Sequence, residues 1–376
     1  MKKGSELSLQ SKLTQKSVRE RVQAFFGGAQ VGPWVIEMDP TTACNLACHD
    51  CISANLLNQG GIERERIKEL AREFKEMGVR AVVLIGGGEP MAHPEFGTLL
   101  DYFHEVDIHV GITSNGTLIE RYLERLAYKT KWVRISVDAG SDEVFKEFRP
   151  APNGKSLFST VIEGMRALGK IKKTKFGYSF LVLHKQAANP SLFREGTGKM
   201  ITNATDIVKA AHLAKELNCD YFEVKPSFDM MHFLQNQSNE LNELVRDQMK
   251  QIEHLKSDTF RIVAPYTLNE ALIGAATQKK EYTRCLVSEI RTVVTPSGVY
   301  VCPYHRGNAN MRIGDVNVES MQHVWTGEKR RAVMKQVNPS IHCAFHCIRH
   351  PSNLLLEEWA AKGFTEPPID DFDFFL

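Results

Sequence analysis

The sequence predicts an α/β fold built on a parallel sheet, followed by a smaller cysteine-bearing unit. Three observations predict it. Between residues 34 and 224, apolar strand-like runs alternate six times with helical patterns. The segments able to carry chemistry fall at or just after the ends of those runs, and beyond residue 258 the pattern shifts to short strands and turns around a second set of cysteines. Alternation at this pitch means parallel strands joined by crossover helices. In such architectures reactive groups gather beyond the carboxyl ends of the strands.

Taken in order, residues 1–33 form a polar lead-in with a short helix over 17–26 that Gly27 and Gly28 end. Strands are expected over 34–38, 81–85, 108–113, 132–137, 176–183 and 221–224, with helices over 62–77, 94–103, 118–127, 158–168 and 206–217. The stretch 184–204 is longer than an ordinary strand-to-helix loop and carries Pro190, Gly196 and Gly198. It reads either as a lid over the open end of the sheet or as a solvated insertion. A polar helix over 238–256 closes the first domain, 34–257. In the second domain, 258–350, Thr295-Pro296-Ser297-Gly298 makes a hairpin turn between strands at 290–294 and 299–302. The tail, 351–376, ends in Asp370-Asp371-Phe372-Asp373-Phe374-Phe375-Leu376, whose aromatics are expected to pack on the domain.

The 376 residues carry 47 Lys plus Arg against 45 Asp plus Glu, a formal charge of +2. That balance is too even for a surface that tracks phosphates, so no nucleic-acid partner is expected. No apolar stretch approaches the roughly 20 residues needed to cross a bilayer, and the segment from Met1 to Arg21 lacks a signal-peptide core. The expectation is a cytoplasmic protein with no membrane partner. In that setting eight cysteines read as metal ligands rather than disulfides. Seven fall into two sets: Cys44, Cys48 and Cys51 near the start, and Cys285, Cys302, Cys343 and Cys347 near the end.

The first set stands in Thr41-Thr42-Ala43-Cys44-Asn45-Leu46-Ala47-Cys48-His49-Asp50-Cys51, directly after the first strand. Thiolates are soft ligands that suit iron–sulfur clusters, zinc or copper(I), and three protein ligands leave a coordination position for something that reacts. A zinc site completed by His49 is the alternative. Gly86-Gly87-Gly88-Glu89-Pro90 follows the second strand. Glycines let a ligand approach the backbone, and Glu89 would repel a phosphate but accept hydrogen bonds from an ammonium group. A purely structural glycine turn is the bland alternative. Thr113-Ser114-Asn115-Gly116-Thr117 ends the third strand, and Arg134-Ile135-Ser136-Val137-Asp138 forms the fourth. Ser136 and Asp138 share one face of that strand, which suits a polyhydroxyl ligand.

In this order the segments resemble the radical S-adenosylmethionine (radical SAM) family over residues 35–227. The resemblance implies a partial (β/α)6 barrel that reductively cleaves SAM to a 5′-deoxyadenosyl radical, which takes a hydrogen atom from substrate. It places a [4Fe–4S] cluster on Cys44, Cys48 and Cys51, and the amino group of SAM on the loop of Gly86, Gly87, Gly88 and Glu89. It places the methionine end on Ser114 and Asn115, the ribose on Ser136 and Asp138, and the adenine against Leu181 and Leu183. One residue departs from the pattern. Before the third cysteine the family usually has an aromatic side chain that shields the adenine, and here it is Asp50.

Four thiols in the second set are enough to saturate a cluster or a zinc ion. Gly298-Val299-Tyr300-Val301-Cys302 resembles the G-x-x-x-C element of SPASM and shortened Twitch domains. That resemblance implies one auxiliary [4Fe–4S] cluster on Cys285, Cys302, Cys343 and Cys347, serving electron transfer or structure. Lys225, Arg149 and Tyr304, with His305 and Arg306, are candidate substrate contacts, each of which reads equally as an ordinary surface group. Cys219 precedes the sixth strand, at the end opposite the motifs, and reads as a buried small residue. A radical epimerase returning hydrogen from a thiol is therefore disfavoured.

The resulting expectation is a radical SAM oxidoreductase acting on a small polar metabolite such as a sugar, aminocyclitol or nucleotide derivative, with flavodoxin or ferredoxin as electron donor. The lack of an added peptide-binding domain motivates the substrate class. A maturase of a ribosomal peptide or protein, an epimerase and a dehydratase are the enzymatic alternatives. A non-catalytic cluster sensor or zinc-binding protein is the alternative of another class.

Overall fold

The computed structural model describes residues 9–186, 200–227, 239–273, 280–343, 345 and 347–376. Its main sheet contains β1 (Val35–Met38), β2 (Ala81–Leu84), β3 (His109–Ser114), β4 (Trp132–Ser136) and β5 (Lys175–Val182). A small antiparallel pair, β6 (His184–Gln186) and β7 (Met200–Thr202), stands apart. The main sheet then takes β8 (Tyr221–Pro226), β9 (Arg261–Val263), β10 (Arg291–Thr295), β11 (Gly298–Tyr300) and β12 (Arg312–Gly314). Its order is β12-β11-β10-β1-β2-β3-β4-β5-β8-β9. From β10 to β9 every pair is parallel, and β10, β11 and β12 are antiparallel. This is the expected partial barrel, with helices between successive strands. Of the stretch 184–204, read as a lid or a solvated insertion, the strands β6 and β7 and the residues that follow are described, and residues 187–199 lie outside the described residues.

Strict alternation along each strand divides the molecule. Ile36 and Met38, Val82 and Leu84, Val133 and Ile135, and Phe222 and Val224 all join the large core under the helices. Their neighbours face inward, and several are charged: Glu37 in β1, Arg134 in β4, Glu223 and Lys225 in β8. A parallel barrel with a polar interior thus keeps the period-two pattern of a half-buried sheet. Helix Arg64–Glu76 shows the complementary logic, burying Ile67, Leu70, Ala71 and Phe74 at three- and four-residue spacing.

Beyond residue 258 the chain does not leave the sheet. β9 pairs with β8, and β10 pairs with β1 at Val35↔Arg291 through Met38↔Val294. The expected hairpin forms, with Thr295 opposite Gly298. The aromatic tail packs under the amino ends of the strands. Phe374 lies 5.7 Å from Trp34 and 4.8 Å from His109, and Phe375 lies 5.4 Å from Trp132, ring centre to ring centre. Gln15, fully buried, fixes the tail backbone by accepting from the N–H groups of Phe372 (2.6 Å) and Asp373 (2.8 Å). Among the described residues no helix is long and apolar enough to cross a membrane.

Candidate active site

The cysteine loop and the glycine loop are built against each other. Glu89 N–H donates to the carbonyl of Ala43 at 2.8 Å, one residue before Cys44. Gly86 and Gly87 adopt left-handed φ of +65° and +69°, a region that costs other residues about 1–2 kcal/mol. A Cβ on Gly88 would come within 2.4 Å of the Ala43 carbonyl oxygen. The glycines are therefore needed to seat the loop on the cysteine segment, a packing role beyond ligand approach.

The Glu89 carboxylate accepts from Met91 N–H (3.1 Å), Ser114 Oγ (2.8 Å) and Asn115 N–H (2.7 Å). Burial raises its pKa, against the pull of these hydrogen bonds. None of these contacts is a Lys or Arg, so a buried carboxylate is poised for a cation, and an ammonium group fits. Asn115 also reaches the first cysteine: its Nδ2 lies 3.9 Å from Cys44 Sγ and 2.9 Å from Asn45 Oδ1. Glu89, Ser114, Asn115 and Cys44 thus form one connected group, as the order of motifs suggested.

The thiols of Cys44 and Cys48 are raised, chiefly by burial, and repulsion within the cysteine set adds to both. The Arg149 guanidinium opposes this at Cys48. Arg149 is placed by the loop itself, because Ala47 and His49 donate backbone N–H groups to the carbonyls of Pro150 and Phe148. The guanidinium is shared between these thiols and the Asp138 carboxylate, and the thiols are a donor set suited to a cluster. His49, the fourth ligand of the zinc alternative, is engaged by Asp50 (Nδ1···Oδ1 3.0 Å). Among the described residues no three His, Cys, Asp or Glu side chains are gathered as a site for a single ion.

Asp138 departs from its expected surroundings. One carboxylate oxygen is paired with Arg149, and the other accepts from Leu181 N–H at 2.7 Å. Asn203, buried and not singled out from the sequence, ties the same strand ends together through Asp138 O (2.8 Å) and Leu181 O (2.7 Å). Asp138 is absent from the cavity wall, whereas Ser136 and Leu181 are on it.

The second set gathers beside β10 and β11. Burial raises Cys302 and Cys347, and repulsion from Cys285 acts on both. Cys343 is pushed up to about 12 by burial and then by Cys285 and Cys347. Ser288 Oγ lies 3.2 Å and Asn353 Nδ2 3.6 Å from Cys285 Sγ, and His305 Nε2 lies 3.7 Å from Cys343 Sγ. Tyr304 stands between this set and the barrel cavity, its ring 5.0 Å from Phe345. Cys219 is buried and free of disulfide, as expected.

An ion-pair network that the sequence did not reveal joins the two regions. Arg291, Arg306 and Arg349 converge on Glu37. Burial alone would raise Glu37, but the three guanidiniums hold it at about 2. Arg306, four residues after Cys302, also forks onto Asp39 at 2.6 and 3.0 Å. The only signal in the sequence was acidic residues at alternate positions of an otherwise apolar strand, Val35-Ile36-Glu37-Met38-Asp39.

A cavity of about 1500 Å³ fills the barrel and is lined by Cys44, Cys48, Cys51, the glycine loop, Arg149 and Lys225. Against known proteins, residues 38–188 match the model described as the Radical SAM superfamily. "Mycofactocin maturase MftC" of Mycobacterium tuberculosis is 24% identical over 350 residues, 91% of this chain and 82% of its own length. Among solved structures, Streptococcus suis SuiB bound to precursor peptide SuiA aligns at TM-score 0.57 and 16% identity, over 84% of this chain and 70% of that one. Native anSMEcpe with bound AdoMet and Cp18Cys peptide aligns at TM-score 0.59 and 16% identity, over 88% of this chain and 96% of that one.

These likenesses overturn the expectation of a small polar metabolite and of a small-molecule partner. That expectation leaned on the lack of an added peptide-binding domain. The anSMEcpe chain is covered almost end to end by this one and was solved with a peptide, so the fold needs no further domain to hold one.

Proposed function

We propose that this chain, which belongs to the radical SAM superfamily and carries a SPASM-like C-terminal unit, is an enzyme that modifies a ribosomally made peptide or protein by oxidation. The observation that carries the reading is the extent of the likeness to a maturase. It covers 91% of the chain and so runs past the barrel into the second cysteine set.

The cofactors of this class are SAM, a [4Fe–4S] cluster and an auxiliary cluster. Cys44, Cys48 and Cys51 would hold the first cluster, and Cys285, Cys302, Cys343 and Cys347 the second. Glu89 would receive the amino group of SAM, with Ser114, Asn115 and Ser136 around the rest. When bound, these groups supply a carbon radical that takes a hydrogen atom from the substrate, and an acceptor for the electron left behind. The chain's own part is positioning. Arg149 neutralises charge at the thiols and fixes Asp138, and the tail packs against the lower end of the barrel.

The test is co-expression with each short peptide encoded beside the gene, followed by mass spectrometry. Loss of hydrogen from one peptide, absent with Cys44→Ala, is the expected outcome. Unchanged peptides alongside SAM turnover on a small metabolite would overturn it.

A further inference from the structure

One group of buried charges is left over once the cluster, the SAM loop and the Glu37 network are accounted for. Arg134 points inward from β4, two residues before Ser136, and Lys225 points inward from β8, in register with Leu181 of β5. Both line the cavity, Arg134 below Ser136 and Lys225 level with Leu181. Both converge on a single atom, Glu223 Oε2, at 3.2 Å from Arg134 Nη1 and 3.3 Å from Lys225 Nζ. Arg134 Nη2 also donates to the neutral Thr113 Oγ1 at 3.1 Å, and its guanidinium lies 5.9 Å from the centre of the Trp132 ring. Its Nε is buried and without a hydrogen-bond partner among the described residues.

Two cations against one carboxylate leave one positive charge without a direct counter-charge among the described residues. The nearby acids do not supply it: Asp138 is paired with Arg149, and Glu37 is held by three arginines. A buried charge is costly unless it is paired. Burial and repulsion from Arg134 lower the Lys225 pKa against the pull of Glu223 and Asp138, whereas at Arg134 the pull of Glu223 and its neighbours outweighs burial and raises it, so the shortfall of anions falls on Lys225. The surrounding wall also carries Glu37, Lys175 and Arg291, so the pair sits in a charged interior where an incoming carboxylate would be attracted.

We infer that Arg134 and Lys225 form an anion subsite that takes a carboxylate of the peptide substrate and so fixes which carbon lies beneath the SAM site. The inference rests on the peptide reading and deepens it, since it names the substrate group that is anchored. The guanidinium fork suits two carboxylate oxygens, and Lys225 adds a point charge from the neighbouring wall. Glu223 then acts as the spacer that keeps the two cations apart and oriented.

A carboxylate can come from the end of a peptide or from an acidic side chain, and the probes separate the two. Anaerobic holoprotein loaded with SAM but not reduced is titrated with N-acetylglycylglycine and with its amide. It is titrated likewise with N-acetylglutamate α-amide and with N-acetylglutamine α-amide, with binding followed by ligand-detected NMR. At least one acid is expected to bind roughly tenfold or more tightly than its neutral counterpart, the scale of a charged hydrogen bond, and the stronger of the two names the source. Arg134→Gln and Lys225→Gln are each expected to erase the preference, with Arg134→Lys restoring part of it. Iron content and circular dichroism confirm that each variant is folded.

Equal binding of acid and amide by the wild-type protein, or no binding of either, overturns the subsite without reference to any variant. So does a preference that survives both glutamine substitutions. Failure of the peptide reading looks different: the acids bind as expected, yet no encoded peptide changes mass.

Discussion

Arg306 and Asp39 lock the second cysteine set to the SAM loop: Nε donates to Oδ2 at 2.6 Å and Nη2 to Oδ1 at 3.0 Å. Arg306 follows Cys302 by four residues, and Asp39 directly follows β1, ahead of the cysteine loop. The glycine loop rests on this pair. A Cβ on Gly86 would stand 2.9 Å from Arg306 Nη2, and one on Gly87 would stand 3.0 Å from Asp39. Arg306→Gln leaves Asp39 and part of Glu37 buried without their partner, so a loss of about 3–5 kcal/mol is expected. The double variant with Asp39→Asn should lose less than the sum of the single losses. Denaturant midpoints of the holoproteins check this, and additive losses would mean the pair is uncoupled.

Glu89→Gln keeps the shape of the loop and removes the charge. SAM affinity should fall roughly 10- to 100-fold, the value of a charged hydrogen bond, while iron content stays at the wild-type level. Equilibrium dialysis under anoxia measures the first quantity and chemical iron analysis the second. Wild-type affinity in the variant would place the ammonium group elsewhere.

Two clusters of four irons each predict about eight irons and eight sulfides per chain after reconstitution. Cys302→Ala should lower both counts to about four and leave the SAM-perturbed spectrum of the first cluster intact. Cys44→Ala should give the converse. Zinc without sulfide in the second set would contradict the auxiliary-cluster assignment.

His109 reports on the docked tail. Burial holds its pKa down to about 4, with repulsion from Lys131 adding to the effect. The neutral ring is thus the folded form. Between about pH 4 and the ordinary value near 6.5 the unfolded chain binds a proton that the folded chain does not. Its contribution to stability is therefore complete above pH 6.5 and lost as pH falls toward 4. Lowering the pH from 7.5 to 5.5 should reduce the thermal midpoint of the wild type, and His109→Gln should flatten that dependence. An identical slope in both proteins would detach His109 from it.

Much of this architecture was legible because it is local. Strands β1 to β5 and β8 fall close to the apolar runs in the sequence, and Cys44, Glu89, Ser114 and Asn115 meet because each follows a parallel strand. What escaped is non-local. β10 pairs with β1 across more than two hundred residues, and nothing in the turn-rich stretch after residue 258 marks it as a barrel strand. Glu37, Arg134 and Glu223 stand at alternate positions of apolar strands, but alternation does not say which charges meet inside the barrel. Asp138 shows the same limit. Arg149, eleven residues on, takes up the carboxylate that the motif alone would leave free. The substrate class was misjudged for a related reason, since the absence of an extra domain said nothing about how much space the barrel encloses.

The most direct measurement of the central claim is anaerobic: dithionite-reduced holoprotein, SAM and the encoded peptide, with 5′-deoxyadenosine and peptide mass followed together. The account predicts 5′-deoxyadenosine formation matched by hydrogen loss from the peptide, both abolished in Cys44→Ala. Peptide that stays unmodified while 5′-deoxyadenosine accumulates, or product formation undiminished in Cys44→Ala, would contradict it.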